Sequence, residues 1–204
     1  MSTGIARSEL ILGGQKSGKS RRAELLARDW LARSPQHRAL LIATAQPWDG
    51  EMRARIARHQ HDRAERVPGL ATREEPRDLA AVLRRESTAH TLLVVDCLTL
   101  WLTNWTMPAG AESMDSEQKQ ALAHNWQAQA ALFLIAIEQA PGPVVLVGNE
   151  IGLGVIPLGR EVRAFVDALG QLNQQVAQAC ERVTLMAAGL PLTLKALTLK
   201  EPTP

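Results

Sequence analysis

The chain has 204 residues, 46% hydrophobic and 22% charged, a length and mixture that can bury a substantial core without disulfides or metal staples and that form one domain, 1–204, by default. A formal charge of +2, from 23 basic against 21 acidic residues, is too small to imply a nucleic-acid surface, and 3% aromatics with no Tyr argue against a single-strand stacking platform. No apolar run approaches the roughly 20 residues of a membrane helix, Met1 to Glu9 lack the apolar core of a secretory signal, and Cys97 and Cys180, the only cysteines, sit in apolar segments, so the cytoplasm is the expected compartment.

In chain order, the strand-like run Leu10-Ile-Leu12 comes first, followed by Gly13-Gly-Gln-Lys-Ser-Gly-Lys-Ser20 and a helix predicted over Lys19 to Ala32. That segment fits G-x-x-x-x-G-K-S at a strand-to-helix junction, the context in which such a P-loop binds nucleoside triphosphates. Its glycines let backbone N–H groups face phosphates, the helix N-terminus adds a favourable dipole, Lys19 neutralises β/γ charge and Ser20 can ligate Mg²⁺. A Gly-rich turn with a solvated lysine is the bland alternative.

A second strand, Ala39 to Ala43, leads to a helix predicted over Gly50 to Arg63, where Glu51, Arg55, His59 and Arg63 recur every four residues and are expected to share a face. A solvated face laced with ion pairs explains that spacing equally well. After a short helix over Arg77 to Arg85, the run Thr91 to Val95 reads as a third strand and delivers Asp96 to its C-terminal end, where open α/β sheets bind ligands. Asp96 is therefore a candidate Mg²⁺-side acid; its competing reading is an N-cap for the residues from Leu98 onward.

Met107 to Asp115 reads as a surface loop, Ser116 to Ala140 as the longest helix, ended by Pro141-Gly-Pro143, and Val144 to Val147 as a strand. Asn149-Glu150, with Gly152 and Gly154 permitting an irregular loop, then falls at the C-terminal rim of the sheet. A helix over Gly159 to Cys180 and two runs, Arg182 to Ala187 and Leu192 to Leu197, separated by Gly189-Leu-Pro191, complete the chain as an edge hairpin, with a frayed tail from Glu201 to Pro204. Nearly all-apolar strands alternating with helices predict an α/β P-loop NTPase fold: a mostly parallel, RecA-like central sheet with helices on both faces and a C-terminal hairpin at the edge.

The ordered set Gly13 to Ser20, Ala43-Thr-Ala45, Glu51-Met52 with Arg55-Ile56 and His59, Thr72-Arg-Glu-Glu-Pro76, Asp96-Cys-Leu-Thr-Leu-Trp-Leu-Thr-Asn104, Asn149 to Gly154 with Pro157 and Arg160, Asn173-Gln174 and Gly189-Leu-Pro191 closely resembles the bifunctional adenosylcobinamide kinase/adenosylcobinamide-phosphate guanylyltransferase family over nearly the whole chain. Gln15-Lys16 stands where that family usually has Ala-Arg, and Pro68-Gly-Leu-Ala71 where it commonly has an aromatic residue. The resemblance implies two reactions: phosphorylation of adenosylcobinamide by ATP or GTP, then transfer of GMP from GTP to that phosphate through a guanylylated histidine. It places the nucleophile at His59, with His61 as the fallback; the two lie about 200° apart around a helix, so one straight helix cannot present both to one phosphorus.

The catalytic residues so expected are His59 and Lys19, with Arg55 and Arg63 supporting the histidine. The nucleotide site is expected to comprise Gly13, Gly14, Gln15, Lys16, Ser17, Gly18, Lys19 and Ser20, then Ala43, Thr44 and Ala45, then Gln60, His61 and Asp62, and finally Glu74 and Asp96, with Ser20 and Asp96 holding Mg²⁺. The implied partners are GTP, ATP, adenosylcobinamide and further copies of the chain in a homo-oligomer, a trimer by resemblance, with no nucleic acid and no membrane insertion. Another P-loop small-molecule kinase lacking the covalent histidine, and a non-catalytic nucleotide switch, are the competing readings.

Overall fold

The computed structural model describes residues 4–47, 50–108, 113–155 and 157–196, and of Met52, Arg55 and His59 it describes the backbone. The strands are β1 (Ser8–Gly13), β2 (Arg38–Ala43), β3 (Leu70–Glu74), β4 (Thr91–Asp96), β5 (Val144–Val147), β6 (Arg182–Ala187) and β7 (Leu190–Lys195). The helices are α1 (Lys19–Leu31), α2 (Gly50–Arg66), α3 (Leu79–Glu86), α4 (Leu98–Thr106), α5 (Ser116–Gln139) and α6 (Arg160–Ala179). One seven-stranded sheet has the order β3-β2-β4-β5-β1-β6-β7, with β6 and β7 antiparallel and every other pair parallel. This is the predicted mostly parallel α/β sheet closed by an edge hairpin.

Alternation along the strands divides the core into two layers. Leu10, Leu12, Ile42, Leu93, Val95 and Leu146 face α3 to α6, while Ile11, Leu41, Leu92, Val94, Val145 and Val147 face α1. Both faces are covered, which is why these strands read as continuous apolar runs. Because β1 to β5 run parallel, their C-terminal ends share one rim, and register aligns Ala43 with both Glu74 and Asp96, and Asp96 with Val147.

Three elements differ from the sequence expectation. The strand β3 was not anticipated, because four of its five residues are exposed and an edge strand leaves no apolar run. The helix α4 was not drawn as an element either, although its own buried Leu98, Trp101, Leu102 and Trp105 follow the i, i+3, i+4, i+7 spacing of a helix; what it lacks is a charged face opposite them, since its remaining residues are Thr99, Leu100, Thr103, Asn104 and Thr106. The edge hairpin turns at Ala188 and Gly189, both with positive φ, and Leu190 and Pro191 already belong to β7. Residues 109–112 of the predicted surface loop and the tail from 197 onward lie outside the described residues.

Candidate nucleotide site

The segment between β1 and α1 curls through three positive φ values, 152° at Gly13, 54° at Lys16 and 100° at Gly18. At Gly13 only glycine fits: a Cβ there would come within 2.5 Å of the Met186 carbonyl oxygen and 2.6 Å of Ser17 Oγ. Lys19, buried at the first position of α1, donates from Nζ to the Gly14 carbonyl at 2.6 Å and so braces the loop from within. Burial pushes the Lys19 pKa down from its ordinary value, against the upward pull of the neighbouring Asp96. An incoming phosphate would supply the counter-charge that lost solvation removed.

Asp96 ends β4 at the rim, half-buried. Its N-cap reading fails, because Cys97 occupies the N-cap of α4 and no side chain there makes a capping bond. The segment is instead clamped by Thr44: its hydroxyl donates to the Cys97 carbonyl at 2.7 Å and accepts from the Cys97 N–H at 2.8 Å, and its own N–H donates to the Asp96 carbonyl at 3.2 Å. Thr44 is fully buried, so its part in the site is to fix the backbone that presents Asp96. Burial, with Asp96 adding to it, raises the Cys97 thiol to about 12, which keeps it protonated.

Further residues without an anticipated role hold the same rim. Asn104 on α4, buried, donates from Nδ2 to the carbonyls of Thr44 at 2.8 Å and Pro76 at 3.0 Å, tying the loops after β2 and β3 together. Thr99 Oγ1 accepts from the Asn149 N–H at 3.0 Å, and Asn173 Nδ2 donates to the Asn149 carbonyl at 3.0 Å. The available signal was a polar residue within an apolar segment, as with Asn104 beside Trp105, since such a side chain must find partners when buried.

Two hollows meet at this rim. One, about 570 Å³, is walled by Gln15 to Arg21 of the loop and α1, by Asp96, Cys97 and Asn149, and by Glu51, Ala54, Arg58, Asp62 and Arg66 of α2. The second, about 260 Å³, shares Gln15, Ser20, Asp96, Cys97 and Asn149 and adds Ala43, Ala45, Gln60, Arg63, Thr72 and Glu74. Gln15 to Ser20, Ala43, Ala45, Gln60, Asp62, Glu74 and Asp96 are thus brought together. Gly13, Gly14 and Thr44 shape the backbone behind them. His61 lines neither hollow: its exposed side chain lies 3.4 Å from Glu65 Oε1.

The expected common face of α2 divides. Steps of four residues advance about 400° and drift roughly 40° each, so Glu51 and Arg63 end up about 120° apart. Arg63 is buried, donating to Thr72 Oγ1 at 3.2 Å and lying 3.9 Å from Glu24 Oε1, which makes it a docking residue. The cations that α2 brings to the larger hollow, beside Lys16, Lys19 and Arg21 of the loop and α1, are Arg58 and Arg66, neither singled out by the four-residue spacing. The side chains of His59 and Arg55 lie outside the described residues. On the helical wheel, position 59 falls between the set facing the larger hollow and the set Ile56, Gln60 and Arg63 facing the smaller.

The family model described as cobinamide kinase / cobinamide phosphate guanyltransferase matches residues 9–194. The chain is 47% identical over 188 residues to the bifunctional adenosylcobalamin biosynthesis protein CobP of Pseudomonas aeruginosa, covering 92% of this chain and 96% of that protein. It is 34% identical over 187 residues to the bifunctional adenosylcobalamin biosynthesis protein CobU of Escherichia coli, covering 91% and 98%. The like-named protein of Salmonella typhimurium is 35% identical over 188 residues, with the same coverage of 91% and 98%.

Proposed function

The chain belongs to the cobinamide kinase / cobinamide phosphate guanyltransferase family, and from that membership we propose that one nucleotide site at the sheet rim runs two successive transfers. In the first, the hydroxyl of adenosylcobinamide attacks the γ-phosphorus of ATP or GTP; the bond to the β-phosphate oxygen breaks and the nucleoside diphosphate leaves. In the second, His59 attacks the α-phosphorus of GTP, pyrophosphate leaves, and the imidazole gives up its N–H proton, leaving an N–P bond. A phosphate oxygen of adenosylcobinamide phosphate then displaces the histidine nitrogen, giving adenosylcobinamide-GDP.

The observation that carries this reading is the larger hollow, in which Lys19, Ser20 and Asp96 share walls with α2 residues adjoining position 59. Lys19 and the loop N–H groups hold the β- and γ-phosphates, and Arg58 and Arg66 face the charge that moves during transfer. Ser20 Oγ and the Asp96 carboxylate are hard oxygen donors suited to Mg²⁺, which when bound neutralises phosphate charge. Such an ion would take its remaining ligands from phosphates and water. His59 is preferred over His61 because the latter is exposed and paired with Glu65.

No helix among the described residues is long and apolar enough to cross a membrane. The reading places the enzyme in the cytoplasm, beside its nucleotide supply, as a homo-oligomer, a trimer by family resemblance. Leu158 and Leu190, 97% and 71% exposed, are apolar surface that self-association would cover. The test is to incubate the protein with GTP and measure its mass, then add adenosylcobinamide and nucleotide and follow both products. The expected result is one GMP per chain, lost in acid and kept in base, together with the phosphate and then the GDP ester. Phosphorylation without any adduct would reduce the protein to a simple small-molecule kinase.

A further inference from the structure

A third hollow, about 880 Å³, lies across the rim from the P-loop, bounded by α6, the segment 150–155 and the β6–β7 hairpin. We propose that it seats the corrin ring of the acceptor, with the hydroxyl-bearing arm crossing the Asn149–Glu150 rim to the nucleotide; this rests on the functional reading above. A single backbone segment separates the two compartments: the Glu150 N–H donates to the Gly13 carbonyl at 3.1 Å, so the wall of one is bonded to the P-loop of the other. The volume lies within the roughly 300–1,000 Å³ of small-molecule sites.

The lining differs in kind from that of the phosphate hollow. Its two cationic side chains are committed to carbonyls: Arg163 donates to those of Pro157 and Leu158, and Lys195 to those of Ala177, Gln178 and Cys180. Lys195 thereby spends all three of its ammonium hydrogens, and Arg163 is anchored through Nη1. Carboxylates of Glu150 and Asp167 and apolar Leu12, Val183 and Leu194 face the same space. That mixture suits a flat, largely apolar macrocycle carrying a cobalt cation and a fringe of carboxamides. Asn173, 4% exposed, also lines it, and its Oδ1 has no partner among the described residues, an acceptor that a carboxamide N–H can satisfy.

Gly170 carries the argument furthest. It lies in the middle of α6, lines this hollow, and a Cβ built on it meets nothing within 4 Å. A helix-interior glycine weakens the helix relative to alanine. No packing contact requires one here, so its role is to leave room for what enters the hollow.

The experiment compares Gly170→Ala, Gly170→Leu and Asp167→Lys with wild type, measuring KM for adenosylcobinamide, KM for nucleotide, GMP adduct formed from GTP alone, melting temperature and assembly size. Gly170→Ala should melt no lower than wild type. Gly170→Leu should raise the cobinamide KM by about tenfold or more while nucleotide KM and adduct formation hold, since a filled pocket excludes its ligand. Asp167→Lys, an exposed change that leaves the core untouched, should raise the same KM by a few-fold and keeps the test decisive if the leucine variant folds poorly. Unchanged cobinamide KM in both, or a change of assembly size alone, would overturn the seat and make the hollow a subunit contact. A wild-type protein that turns over no cobinamide would instead sink the functional reading itself.

Discussion

The P-loop rim and the helix α2 face each other across one hollow, yet they are held in place by different physics. The rim grows out of the sheet: Gly13, Asp96 and Val147 end strands whose other residues are almost all buried, and Thr44, Thr99 and Asn104 lock the connecting loops with short hydrogen bonds. The described side chains of α2 include only one that is buried, and it is the charged Arg63. Polar contacts dock the helix: Arg66 lies 2.9 Å from Glu24 Oε2, and Arg63 reaches Thr72 and Glu24. Elements with few apolar contacts open at low cost, whereas those continuous with the core open only with the whole fold. The rim proposed to hold the phosphates is therefore rigid, and α2, which bears the proposed nucleophile His59, is the movable partner.

If that contrast is right, damage to the rim should stop both reactions and damage to α2 docking should stop one. The largest effect is expected from Lys19→Ala, which removes a buried cation common to both transfers. Both rates should fall by roughly 10²–10³ or more, as for loss of one preorganised electrostatic donor. The melting temperature should barely move, because the Nζ bond it loses is local to the loop. Rates within a few-fold of wild type would show that the loop does not hold phosphates.

A smaller, selective effect is expected from Glu24→Ala. Glu24 is buried on α1, and its removal leaves Arg66 without its close partner at a cost of about 1–3 kcal/mol, reduced by the partial exposure of Arg66. Adduct formation should drop about tenfold, the loss that 1.4 kcal/mol of undocking produces, while the kinase rate changes by less than half of that. Equal losses in both activities would mean that α2 belongs to the rim mechanically, and the contrast would dissolve.

The same contrast governs how much could be read from the sequence. The P-loop, Asp96 and the apolar strands were legible because each has a local cause: a glycine pattern at a strand-to-helix junction, a carboxylate after four apolar residues, a period of two hidden in a doubly covered sheet. The edge strand β3 was not, since pairing on one side only demands no apolar run. On α2, the regular spacing of Glu51, Arg55, His59 and Arg63 suggested one face, but 3.6 residues per turn carries four-residue steps around the helix, so Glu51 lines the larger hollow, where Arg58 and Arg66 join it, while Arg63 lines the smaller. Thr44 was legible as part of the loop after β2; that its hydroxyl clamps Cys97 rather than lying open at the rim depends on a strand distant in sequence. Asn104 and Gly170 give no local sign beyond a polar residue among tryptophans and a glycine within a helix.

The central claim is that a histidine on the docked helix, acting apart from the rigid rim, carries GMP between GTP and the corrinoid phosphate. Peptide mapping of GTP-treated wild type, paired with separate kinase and transferase assays of His59→Ala, tests it most directly. The account predicts GMP on His59 in wild type, no adduct and no transfer in the variant, and adenosylcobinamide phosphorylation within a few-fold of wild type, because the γ-phosphoryl passes straight to a hydroxyl with no protein nucleophile. An adduct on His61, or guanylyl transfer surviving in His59→Ala, would contradict it.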